Sequence, residues 1–133
     1  MKSTLNREEI NQYTANQLNF FFPDKNKILS ESLYNATKSA LERIEYCFEH
    51  VKLKYYIDGF NVLFSHLNSD HYCVFLYFLS NELYKQERID YAEKVFYLNK
   101  ALHGIDVFYE VELPDIFLFV HPLGTVLGRG KYA

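Results

Sequence analysis

The sequence predicts a mainly α protein: a helical domain over residues 1–104, followed over residues 105–133 by the first one to two coils of a parallel β-helix. Three observations carry this. Apolar residues recur every three or four positions through most of the first hundred residues. Gly104 then stands where a helix would close in the left-handed conformation. Beyond it the apolar period changes to six.

The elements follow in order. "REEINQYTANQLNFFFP" carries acidic residues in its first turn, apolar positions at Ile10, Leu18 and Phe21, and a stop at Pro23. In "SESLYNATKSALERIEYCFEHVK", Leu33, Ala36, Ala40, Ile44, Cys47, Phe48 and Val51 form one face of an amphipathic helix. "YYIDGFNVLF" is ambiguous, with Asp58-Gly59 as a turn or a short break. "NSDHYCVFLYFLSNELYKQ" reopens a helix with Asn68, Ser69 or Asp70 as its N-cap. Its run "CVFLYFL" is apolar nearly all round, which places this helix at the centre. "RIDYAEKVFYLNKALHG" is a further helix, with Asp90 as its expected cap.

From Val107 onward both helical spacing and strict alternation fail. Val107, Leu113, Phe119 and Thr125 form one six-residue row, and Val111, Phe117 and Leu123 form another. In a β-helix each flat side of a triangular coil points inward at a fixed phase, and three hexapeptides close one coil, so residues 107–133 span about one and a half coils. The competing reading is a pair of ordinary strands with turns at Pro114-Asp115 and Pro122.

Composition narrows the function. Twelve Phe and twelve Tyr without a Trp are read as core and interface filling rather than an aromatic ligand box. A net charge of −3 argues against the clustered basic face that nucleic acid requires. No run approaches the length of an apolar membrane span, and "MKSTLNREEINQY" has no signal-peptide apolar core, so no membrane association and a cytoplasmic location are expected. Cys47 and Cys73 are isolated and lack metal-ligand spacing; they are read as buried thiols of a reducing compartment.

His121 falls between two inward positions of the second hexapeptide, so its side chain is expected on an outer flat face. Asp106 precedes it by fifteen residues, which nearly closes a coil and would lay the two side by side. A carboxylate there fixes the imidazole tautomer and stabilises the imidazolium, making His121 a candidate general base and Asp106 its orienting partner. The plainer readings are a structural histidine and an aspartate closing the turn after Gly104. "GTVLGRGKY" lacks the phosphate-loop spacing, with Tyr132 where Ser or Thr is needed. His50, His66, His71 and His103 show no metal spacing and are read as structural or solvated; no metal is expected.

"GIDVFYEVELPDIFLFVHPLGTVLG" resembles the serine O-acetyltransferase family of hexapeptide-repeat acyltransferases, and "FLYFLSNELYKQERIDYAEKVFYLNKALHG" resembles the helical pair that precedes the β-helix there. The matching positions are Asp106, His121, Gly124, Val126 and Gly128, and the resemblance covers roughly residues 68–133. It implies a left-handed parallel β-helix with Asp106 and His121 as the catalytic pair. It also implies acetyl-CoA as co-substrate and transfer of acetyl to the L-serine hydroxyl in cysteine biosynthesis. No permanently bound cofactor is implied.

The sequence departs from that pattern. Val120 stands where the family has an acidic residue holding the amino acid, and Pro122 and Leu123 replace smaller or polar residues. Asp58 and Asp70, in the helical part, are possible amino-group acceptors outside any matched motif. The family's CoA groove, second histidine region and sulfhydrylase-docking tail belong to later coils, expected beyond residue 133. The 133-residue chain is therefore expected not to turn over at an enzymatic rate. The family also implies a homo-oligomer, a trimer or a dimer of trimers. Two alternatives stand beside this reading: an acetyltransferase for another hydroxyl acceptor such as a sugar, favoured by Val120, and a non-catalytic helical oligomerisation or interaction module.

Overall fold

A computed structural model describes all 133 residues, and the protein is mainly helical. Helix α1 (Arg7–Phe21) opens on a capping box: the Asn6 side chain accepts from the Glu9 N–H at 2.8 Å, and the Glu9 carboxylate accepts from the Asn6 N–H at 2.9 Å. Ile10 and Leu18 are buried as their spacing requires, but Phe21 is exposed. It is the last helical residue, and beyond it Phe22 takes the place against the core.

Helix α2 (Ser30–Phe48) and the turn after it bury all seven residues of the predicted apolar face, from Leu33 to Val51. The ambiguous stretch is a small antiparallel hairpin, β1 (Ile57–Asp58) and β2 (Asn61–Val62), turning on Gly59 at φ +60°. Helix α3 (Ser69–Lys85) is capped by Asn68, whose side chain accepts from the Asp70 N–H at 2.9 Å. It packs against both α2 and α4 and is buried on nearly every side, as its all-apolar run demands.

Helix α4 (Ile89–His103) corrects one expectation. Arg88, not Asp90, occupies the N-cap, and no side chain caps the helix. Asp90 is the second residue of the helix, within its first turn, gripped by Arg88 at 3.1 and 3.2 Å and by Asn26 at 3.0 Å. Hydrogen bonds from Arg88 and Asn26 hold its carboxyl down at about 2. Gly104 ends the helix at φ +62°, its N–H donating to the Lys100 carbonyl at 3.0 Å.

Past Gly104, β3 (Asp106–Val107) pairs in parallel with β4 (Val126–Leu127), and a second parallel bridge joins Glu112 to Lys131. The register differs from an eighteen-residue coil. Val107 stands opposite Leu127, where that coil would place Thr125. The surplus is taken up around residues 121–124, where His121 and Gly124 both have positive φ. Of the expected inward rows, Val107 and Val111 are buried and Leu113, Phe117 and Phe119 are half-buried, but Leu123 is turned out to 81% exposure.

This segment shares one core with the helices, since Ile105, Val107 and Val111 belong to the same buried cluster as α1–α4. Polar side chains of α2 and α3 bind its backbone. The Tyr77 hydroxyl donates to the Val111 carbonyl, and the Asn81 amide donates to the Tyr109 carbonyl at 2.8 Å. The Cys47 thiol donates to the Phe117 carbonyl at 2.9 Å and its sulfur accepts from the Phe117 N–H at 3.4 Å. Such short strands leave many peptide groups without ladder partners, and these contacts supply partners to three carbonyls and one N–H of the segment. Both cysteines are free and buried, and burial raises both thiols, Cys73 to about 12. No helix is long and apolar enough to cross a membrane.

Candidate functional site

The turn that carries His121 is built from three directions. Gly104, at the end of α4, accepts the Gly124 N–H on its carbonyl at 2.8 Å. A side chain at Gly104 would meet Leu123, whose Cδ1 lies 2.4 Å from the position a Cβ would take. Within the turn, the Thr125 N–H donates to the Pro122 carbonyl at 2.9 Å, and Pro122 itself is buried. From the first turn of α3, Asp70 reaches across fifty-one positions of sequence and accepts the His121 N–H on Oδ1 at 3.2 Å.

His121 is exposed, as its position between inward residues predicts, and its ring has no hydrogen-bond partner in the protein. Its backbone is unusual. It sits at φ +53°, in the left-handed region that β-carbon contacts disfavour. It also precedes Pro122, and a residue before proline is ordinarily pushed to extended backbone.

Asp106 is placed differently from the expected pairing. Its carboxylate forms an ion pair with Lys100 at 3.1 Å, in the last turn of α4. No hydrogen bond or ion pair joins Asp106 to His121. Lys100 competes for the same carboxylate, and a cation in the last helical turn is further favoured by the unpaired carbonyls there. The carboxylate that the structure brings to His121 is Asp70 instead, and it meets the backbone rather than the imidazole.

No known family profile matches the chain, and no match is found among curated proteins or solved structures.

The other sequence candidates scatter. Asp58 pairs with Lys2 at 3.3 Å on the hairpin. His50 is exposed on α2's end, and His66 packs edge-on to Tyr13. His103 is bonded through Nδ1 to the Asn99 side chain at 2.7 Å, and burial lowers its pKa. His71 is buried among Phe48, Tyr56 and Phe64, and its Nδ1 accepts from the Ser65 N–H at 3.1 Å. Burial pulls it down to about 4, against a partial upward pull from the Asp70 charge. No three His, Cys, Asp or Glu side chains converge as metal ligands. Val120 and Leu123 flank His121 as exposed aliphatic groups.

In the sequence Asp70 stands out as a possible N-cap of α3 and as one of two unmatched carboxylates, not as a partner of His121. Nothing periodic links it to His121, because their contact depends on how the C-terminal turn folds back over the first turn of α3. The left-handed backbone at His121 had no sequence signal either: the His-Pro pair points to the opposite conformation.

Proposed function

We propose that the chain is the helical part and opening coil of a left-handed β-helical acyltransferase resembling the serine O-acetyltransferases, with His121 as the general base. The observation that supports it most is the Asp70–His121 contact. It brings a carboxylate of the helical part to an exposed histidine, beside the position where Val120 supplies none. Parallel pairing of residues 106–107 and 112 with residues 126–127 and 131 is compatible with a coil laid on a coil.

In the reaction, an imidazole nitrogen of His121 takes the proton of the acceptor hydroxyl as its oxygen attacks the thioester carbonyl of acetyl-CoA. The tetrahedral intermediate collapses with cleavage of the C–S bond, and the imidazolium returns the proton to the departing thiolate. O-acetylserine and free CoA result. A serine hydroxyl is a poor nucleophile until a base stands within hydrogen-bond reach. The free oxygen of Asp70 is suited to the α-ammonium group of serine. Asp106 makes no hydrogen bond to the imidazole while it pairs with Lys100 through Oδ2, and orients the ring only once its carboxylate reaches it.

The test is serine-dependent thiol release from acetyl-CoA by the purified chain, with other hydroxyl acceptors run beside it. A positioned base alone supplies about 10²–10⁴ in rate, so slow release is expected, lost in His121→Ala. Release indifferent to His121 overturns the reading. Preference for a sugar hydroxyl over serine moves it to the alternative acceptor. The absence of a hydrogen bond or ion pair between Asp106 and His121, with Asp106 paired to Lys100, favours a second reading, a non-catalytic interaction module, which predicts no acceptor-dependent release at all.

A further inference from the structure

We infer that Asp70 is a positioning residue: its carboxylate holds the backbone of His121 in the left-handed conformation and so decides where the imidazole stands. Its catalytic meaning rests on the function proposed above; the structural claim does not.

Two residues other than glycine have positive φ, Glu87 at +61° and His121 at +53°. Glu87 is explained locally. It follows the end of α3, its N–H donates to the Tyr84 carbonyl at 3.0 Å, and the next N–H, of Arg88, donates to Leu83 at 2.8 Å. Helix ends adopt this geometry routinely. His121 closes no helix. Its backbone is disfavoured twice, by its own β-carbon and by the proline that follows, and such a residue persists only where its surroundings impose it.

What imposes it is legible in the contacts. No other N–H of residues 120–123 reaches the helices, and the His121 N–H ends on Asp70. Asp70 is a firm anchor. It is the second residue of α3, where the free amides of the helix end favour a carboxylate, and its own N–H is held by Asn68. A hydrogen bond to an ionised acceptor is roughly twice as strong as a neutral one, so the hold depends on the charge. Besides His121, the Asp70 charge is felt by the Tyr56 hydroxyl, by the His71 ring and by the Cys73 thiol, all of them buried. Loss of the charge leaves the turn with the Gly104–Gly124 bond, the Thr125–Pro122 bond and the buried Pro122 ring, none of which engages the His121 N–H.

The experiment is NMR on the uniformly labelled 133-residue chain. At neutral pH the wild-type His121 amide proton is expected downfield of its position in Asp70→Ala, because its acceptor is a carboxylate. The short intraresidue HN–Hα distance of a left-handed residue is expected to give a strong cross-peak at neutral pH. In Asp70→Ala, which leaves no acceptor at that position, the His121 amide should move upfield and the cross-peak should weaken toward that of extended backbone. A wild-type cross-peak no stronger than that of extended backbone overturns the inference, with no variant needed. So does an unchanged cross-peak, or an unmoved His121 amide, in an Asp70→Ala protein whose α3 amides show it folded. Neither readout involves acetyl transfer, so an inactive chain leaves this test intact, and an unmoved His121 amide leaves the thiol-release test intact.

Discussion

Replacing His71 should remove most of the acid sensitivity of this protein between about pH 6.5 and pH 4, the unperturbed and folded values of that histidine. The ring is 1% exposed and lies among Phe48, Tyr56 and Phe64, so burial favours the neutral form and holds the folded pKa at about 4. The unfolded chain therefore takes up the proton first as pH falls. Stability is fully present above the unfolded pKa and is lost on the way down to the folded one. One proton carried across that interval amounts to about 3 kcal/mol, since each pH unit is worth about 1.4 kcal/mol. His103, also lowered by burial, adds in the same direction. Asp90, held at about 2, titrates below this window. The variant to compare is His71→Asn, whose side-chain oxygen can still accept from the Ser65 N–H. Urea denaturation at several pH values should show the wild-type midpoint falling by roughly 1–3 M more than that of the variant, given m-values of about 1–3 kcal/mol per molar. Parallel pH dependences in the two proteins would show that His71 is not held neutral by burial, and the reasoning would fail at its first step.

Three further outcomes follow from the same contacts. Tyr77→Phe leaves the buried Val111 carbonyl without its donor and should cost about 1–3 kcal/mol in chemical denaturation, against almost nothing if water replaces the hydroxyl. Gly104→Ala should lower stability by roughly 1–2 kcal/mol, because the left-handed backbone penalises a β-carbon while the exposed Leu123 end can swing aside; thermal melting will read it. The aliphatic surface of Val120, Leu123 and Val126 beside the short, open edge of β4 should drive self-association at micromolar concentration, and Val126→Lys should reverse it; sedimentation equilibrium giving a wild-type monomer counts against this.

Much of the fold was determined by the sequence alone, because its helices carry their own instructions. The seven-residue face from Leu33 to Val51 could be buried in only one way on a 3.6-residue repeat, and the unbroken apolar run of α3 left it no solvent side. Gly104 ended α4 as a residue without a β-carbon can. Local chemistry misled where two residues competed for one role: Arg88 and Asp90 bind each other, and the helix starts without a side-chain cap.

Tertiary structure decided the rest. The period of six located where the backbone leaves the helical pattern and which residues lie inward at its start, but not the register, since a turn that absorbs extra residues leaves no mark on periodicity. A fifteen-residue spacing brought Asp106 and His121 together on paper; in the fold Lys100, one turn from the end of α4, reaches that carboxylate instead. His121 meets Asp70 because the C-terminal turn closes over the start of α3, a contact between distant residues that no local preference encodes and that holds the histidine in a conformation its own sequence neighbours oppose.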